Sequence, residues 1–325
     1  MTQRSLAIAV ALVCVSCAAP SNFLGSKRLS HADVGVLVLA HGGSRSWDGV
    51  VRQTVRQAQL PVPTQVVFGM GMHPGELTKM QQAVERLQQQ GVQRIVVIPL
   101  LVSSHSEVFR QYEYLFGIRQ QAEWPEAGKP LRRRVPIVMG VALDDHPVIA
   151  ESLLERAARI SREPGNETVV LVAHGPNGDV DNERWLGAMQ HLADLMKQRA
   201  GFRQVVSLTM RDDAPAPLKA QAETQFRQTV MTAGQQGRVL VLPLLLAKGG
   251  VEQKVPKILA GIPCTIARET LLPHPKLAQW VAAQAGRLAA APSSATTIQK
   301  VDVPPLTIET EGRLASSQGS STVVK

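Results

Sequence analysis

Apolar and polar positions alternate along this chain in blocks of strand and helix length. Val34–Ala40 is a continuous apolar run too short for a core helix and bounded by polar residues, so it reads as a strand buried on both faces. The pattern then predicts a helix over Trp47–Gln59, a strand over Gln65–Met70 and a helix over Glu76–Gln90. In that helix Leu77, Met80, Val84 and Leu87 fall on one face and Gly91 closes it. A buried strand over Arg94–Val102, a helix over Ser106–Gln121, a strand over Val135–Val141 and a helix over Pro147–Ile160 complete the first set. The order then repeats. Strands are predicted at Thr168–Ala173, Gln204–Met210, Arg238–Leu246 and Cys264–Ala267. Helices are predicted at Asn182–Arg199, Leu218–Ala233, Gln253–Leu259 and Pro275–Ala290. Strand–helix alternation with doubly buried strands predicts an α/β protein of two tandem units, each a parallel sheet with helices on both faces.

Three anchors mark the repeat. "VLVLAHGGS" at Val36–Ser44 matches "VVLVAHGPN" at Val169–Asn177. "IPLL" at Ile98 matches "LPLL" at Leu242, and "DDHPVIAESL" at Asp144 matches "LPHPKLAQWV" at Leu272. Anchors in one order indicate duplication. The expected organisation is therefore residues 1–17 as an export or lipoprotein signal, 18–33 as a linker, 34–163 and 164–290 as the two units, and 291–325 as a disordered tail. That tail is rich in Ser, Thr and Pro and has no periodicity.

The N-terminus carries the targeting information. Arg4 precedes an apolar run at Leu6–Val15 that is too short to span a bilayer, and small residues follow. Cys14-Val15-Ser16-Cys17 resembles a lipoprotein cleavage box, which would place a lipid on Cys17 and anchor the protein to a membrane. Cleavage near Ala19 would instead leave a soluble periplasmic protein. Either reading places the chain in the periplasm or cell envelope. Cys264 has no partner for a disulfide framework. The net charge is +9, which suits an acidic partner. Nucleic acid is not expected, because no aromatic platform is interleaved with basic residues.

The chemistry concentrates at strand exits, where parallel sheets bind ligands. His41 follows the first strand directly. His105 follows the third, after Ser103 and Ser104. If those strands are neighbours, two imidazoles share one crevice and can hold a divalent transition metal or accept protons from a weak N–H acid. Glu107 either orients His105 and carries protons, or is a carboxylate favoured at a helix start. Arg45 and Arg110, near the two histidines, are candidate carboxylate clamps. His174 repeats His41 and is a further candidate substrate contact, but no histidine repeats His105 near Gly250. His146 and His274, each before a proline, read as helix-start residues, and His73 lies in a loop at the second strand's exit. No dinucleotide fingerprint, Cys-x-x-Cys pair or nucleophile elbow occurs.

Strand–Ala-His-Gly, then "HPGELTKMQQAVERL", then "GVQRIVVIPLLVSSH" resembles the sirohydrochlorin cobaltochelatases of the CbiX type, which have a class II chelatase fold. "VLPLLLAKGGVEQKVP" in the second half is similar to the same family's metal-site strand and helix. The resemblance spans Val34 to Ala290. It implies insertion of Co2+ into a tetrapyrrole on the cobalamin pathway, with Fe2+ or Ni2+ used by relatives. No cofactor is implied beyond the substrate metal. Carried over by position, His41 and His105 bind the metal and accept pyrrole protons. Ser103–Glu107 lacks the family's Gly-rich approach to the second histidine. The alternative is an exported metal- or tetrapyrrole-binding protein without turnover.

Overall fold

The computed structural model describes residues 33–124, 126, 128–291 and 297–299; the expected signal, linker and most of the tail lie outside them. Two parallel sheets carry the chain. In the first, β1 (Val34–Ala40), β2 (Thr64–Phe68), β3 (Arg94–Pro99) and β4 (Ile137–Gly140) run in the order β2-β1-β3-β4. In the second, β5 (Glu167–Ala173), β6 (Gln204–Thr209), β7 (Arg238–Leu244) and β8 (Thr265–Ile266) run β6-β5-β7-β8. β1 and β5, the doubly buried runs, lie in the interior of their sheets. Each is paired on both sides and buried at every residue. The helices are α1 (Arg45–Gln57), α2 (Pro74–Gln89), α3 (Glu107–Leu115) and α4 (Pro147–Ala158), then α5 (Asp179–Ala200), α6 (Ala216–Gly234), α7 (Gly250–Ile258) and α8 (Pro275–Ala290). α3 ends at Leu115, six residues before its expected end.

Alternate residues of each strand face different cores, as the pleat requires. Leu37, Leu39, Val67, Ile95 and Val97 pack under α2 and α3. Val170, Val172, Val239 and Val241 pack under α6 and α7. The remaining faces of both sheets share one central core, in which Val36, Val38, Val96 and Ile98 join Val169, Leu171, Leu240 and Leu242 across α1, α4, α5 and α8.

The boundary at 163/164 separates the sheets but not the helix layers. α4 lies on the second sheet, where Arg156 Nη2 donates to the Pro243 carbonyl at 2.9 Å. α8 lies on the first, and so close that a Cβ on Gly140 of β4 would stand 2.9 Å from Leu288 Cδ1. Each exchanged helix is tied down by an arginine at the start of a strand. Arg94 of β3 donates to the carbonyls of Ala289, in the last turn of α8, and Ala291, just after it, at 2.9 and 2.8 Å. Arg238 of β7 donates to the Ile160 carbonyl after α4 at 2.7 Å and pairs with Glu167. These cations satisfy carbonyls that a helix end leaves without partners. The physical cause of the exchange is the stripe on α8. Leu277, Trp280, Val281, Ala285 and Leu288 are all buried at helical spacing, and the first sheet offers the complementary face.

One expectation needs correction. Thr297–Gln299, in the stretch expected to be disordered, forms a short parallel strand, β9, beside β4. An unpaired edge accepts even a three-residue strand, and no periodicity is legible at that length. Among the described residues no helix is long and apolar enough to cross a membrane.

Candidate functional site

The Ala-His-Gly turns are built alike in the two units. Gly42 and Gly175 adopt left-handed backbone, φ +89° and +76°, which only glycine adopts without strain. A Cβ there would also meet the neighbouring strand, 3.0 Å from Phe68 Cβ in the first unit and 2.5 Å from Thr209 Cβ in the second. The turned glycine aims its carbonyl back at the preceding ring. His41 Nδ1 lies 2.8 Å from Gly42 O, and His174 Nδ1 lies 2.7 Å from Gly175 O. A carbonyl only accepts, so each Nδ1 carries hydrogen. The neutral ring therefore keeps its lone pair on Nε2. Backbone bonds complete both turns, with Gly69 N donating to His41 O at 3.1 Å and Arg211 N to His174 O at 2.7 Å.

His105 reaches the same end of the first sheet, because β1 and β3 are hydrogen-bonded neighbours. Its loop is held by Asp144, whose carboxylate accepts from Ser104 N at 2.6 Å and Ser104 Oγ at 2.9 Å. Ser104 Oγ in turn accepts from Ala142 N. His105 N donates to Ser103 Oγ at 3.0 Å. These serines fix the approach that lacks glycine. His41 is exposed and His105 half-buried.

The strand ends of the two units come into contact. Glu107 of α3 accepts from Asn177 N and Gly178 N at the start of α5, at 3.0 and 3.3 Å. A Cβ on Gly249, before α7, would lie 3.6 Å from the Trp47 ring. His41 contributes to the field at Asp213 of the other unit. Two expectations change here. Glu107 commits Oε1 to backbone N–H groups at the start of α5, so the helix-start reading is realised at a helix of the second unit as well as at its own. Arg110 is no free clamp, since it pairs with Glu123 at 2.7 Å and with Asp181. The Glu123 hydrogen bond, working against burial and joined by Asp181, raises its pKa further. Arg45 is exposed at the first residue of α1 and remains available. His73 is exposed at the N-cap of α2 and makes no side-chain capping bond.

His174 and His41 differ in one respect. His174 Nε2 lies 3.4 Å from Asp213 Oδ2. Burial works against charge on that ring, but the bonds to Asp213 and Gly175 and the fields of Asp213 and Asp212 outweigh it and raise the pKa. Asp213 is held low by the His174 bond, despite burial, with help from His174, His41 and Lys254. His174, Asp212 and Asp213 present ligand atoms within 4.8 Å of one another. Asp212 is already neutralised. Lys219 Nζ stands 2.7 Å from its Oδ1 as an ion pair and donates instead to its carbonyl at 3.0 Å, while Lys254 holds Oδ2. Two ammonium groups oppose a cation there. The sequence reading missed this acidic pair, although "RDDAP" directly after a strand was a legible signal.

His146 and His274 are the helix-start residues expected. Each Nδ1 accepts from the backbone two residues on, Val148 N at 3.1 Å and Lys276 N at 3.3 Å.

Residues 35–160 match the CbiX family. The matched residues include both His41 and His105. Among solved structures, SirB from Bacillus subtilis with Fe3+ superposes with a TM-score of 0.58 at 17% identity, over 79% of this chain and 96% of that one. CbiX, the terminal enzyme of siroheme biosynthesis in denitrifying bacteria, superposes with a TM-score of 0.50 at 15% identity, over 78% and 98%. These likenesses extend the similarity in fold beyond residues 35–160 into the second unit. No curated protein matches the sequence.

Proposed function

We propose that the protein is a metal chelatase that inserts a divalent ion, Co2+ before Fe2+ or Ni2+, into sirohydrochlorin or a related tetrapyrrole. The observation that carries this reading is the turn at His41. It fixes hydrogen on Nδ1 and leaves Nε2 with its lone pair, at the sheet end that His105 also reaches after the neighbouring strand. Metallation requires a metal to shed water and a macrocycle to lose two N–H protons. A neutral imidazole binds Co2+ moderately and so releases it to a chelating macrocycle, and it also accepts protons near neutral pH. His41 and His105 hold the incoming metal and take the pyrrole protons. Arg45 faces the substrate's carboxylates. His174, paired with Asp213, adds no net charge and does not duplicate His41.

A second reading rests on the departure in the second unit, where Gly249 and Gly250 replace the expected second histidine. One intact pair also suffices for an envelope protein that captures metal or tetrapyrrole without turnover. An envelope location, with or without lipid on Cys17, belongs to both readings and is supported by the apolar run at Leu6–Val15. Anaerobic absorbance of sirohydrochlorin with Co2+ separates them. Faster metallation that is lost in His41→Ala and His105→Ala supports the chelatase. A spectral shift on binding without faster metallation supports the carrier, and no difference from buffer removes both.

A further inference from the structure

β2 is the outermost strand of the first sheet, and among the described residues its outer edge is unpaired. Such an edge presents free N–H and C=O groups and normally needs protection. Here α1 and α2 overhang it and form a groove of about 730 Å³, floored by all five residues of β2. The walls are cationic on balance, with four cations against one carboxylate, Asp48, which accepts from Gly43 N. Arg52 and Arg56 come from α1, and Lys79 and Arg86 from α2. Arg52 lies over the Phe68 ring, 4.7 Å from its centroid. None of the four forms an ion pair with a carboxylate among the described residues.

The repeat supplies an internal control. The same edge in the second unit, β6, also borders a groove, of about 810 Å³. That groove is walled by α6 alone, whose Gln221, Gln225, Gln228 and threonines carry no charge. The fold therefore tolerates a neutral wall where α2 places Lys79 and Arg86, and those two cations answer to something other than the architecture.

We propose that the β2 groove binds an extended acidic peptide segment of a partner protein, added to the first sheet as a further strand. The open edge asks for a partner that both donates and accepts along its backbone, which a peptide does and a polyphosphate does not. Successive residues of an added strand face opposite sides, so alternate carboxylates meet Arg52 and Arg56 on one wall and Lys79 and Arg86 on the other. A second copy of this chain is disfavoured, because pairing β2 with β2 brings two sets of four cations together.

The test is fluorescence anisotropy of the full chain with a labelled octapeptide of Glu and Val that carries Glu on both strand faces. Binding of one peptide per chain, weakened about tenfold by Arg56→Gln/Arg86→Gln, supports the proposal. So does failure of the same peptide with alternate N-methylated amides to compete. Arg52→Gln/Lys79→Gln is a second pair, and melting curves show that both variants remain folded. Absence of binding overturns the proposal, as does binding that survives both pairs. Equal competition by the N-methylated peptide, inorganic polyphosphate or single-stranded nucleic acid would make the groove a plain polyanion sink and also overturn it. Binding seen only after removal of residues 300–325 would assign the groove to the chain's own tail, and dimerisation that blocks the peptide would assign it to a second copy. Either outcome overturns the proposal.

Discussion

Gly42→Ala and Gly49→Ala are the same substitution seven residues apart, and the structure gives them opposite signs. At Gly42 the backbone is left-handed, φ +89°, which costs an L-residue about 1–2 kcal/mol. The new Cβ would also stand 3.0 Å from Phe68 Cβ, an overlap relieved only by shifting the end of β2, at a cost of about 1 kcal/mol. The sum is about 2–3 kcal/mol of lost stability. Gly49 lies inside α1, where an added Cβ would meet nothing within 4 Å and the backbone carries no left-handed strain. There alanine gains about 0.8–1 kcal/mol, because glycine loses more backbone freedom on entering a helix. The assay is urea unfolding followed by circular dichroism. For a slope of about 3 kcal/mol/M, Gly42→Ala lowers the midpoint by about 0.8 M and Gly49→Ala raises it by about 0.3 M. Nitrogen-15 NMR of His41 adds a local readout, because the Gly42 carbonyl holds the Nδ1 proton. A Gly42→Ala protein with an unchanged midpoint and an unchanged His41 tautomer would refute the reasoning about the turn.

Three further outcomes follow from other parts of the molecule. Asp213→Asn leaves the burial of His174 unopposed by its carboxylate, so NMR titration should show the His174 pKa falling; an unchanged value would mean that the pair does not form. In the wild type that pair stabilises fully below the ordinary histidine value and is lost as pH rises through the elevated folded one. His146, half-buried with the Arg287 field against it, is pushed down to about 4. The unfolded chain takes up the proton first, so stability falls as pH drops from the ordinary value toward 4, by an amount that solvent screening of the half-buried ring reduces. His146→Asn should flatten that slope in acid-dependent urea melts, and an equally steep profile would exclude this histidine as the source. Leu288→Ala, which opens the shared core beneath Gly140, should cost about 2–5 kcal/mol in a single transition. Loss of the first sheet alone in a two-step melt would show that the units are energetically separate.

Much of the fold was legible because the signals are local. β1 and β5 each bury every residue, and their apolar runs, Val34–Ala40 and Val169–Ala173, read as strands from their short length and flanking polar and turn residues. α8 announces itself by spacing, and its observed span of Pro275–Ala290 is the one the pattern predicts. α3 fell short because the chain turns at Gly117, φ +72°, while polar residues after it still suit a helix by composition. The two Ala-His-Gly turns were legible as a repeat for the same local reason, and so was the helix-start reading of His146 and His274.

The site was legible in its types and not in its pairings. Arg110 sits five residues from His105 in sequence, yet Asp181, 71 residues on, claims it. Glu107 serves the N-terminus of α5, and His174 meets Asp213 from a different loop. Periodicity, turn glycines and the duplication by themselves determined two parallel α/β units with a histidine at each first strand exit, since hydrogen-bonding and burial patterns repeat along the chain at short range. Only the tertiary structure decided which helix covers which sheet, that the strand ends of both units come into contact, and which charges are already neutralised there. Those outcomes depend on through-space contacts between segments 70 or more residues apart, and no short-range pattern encodes them.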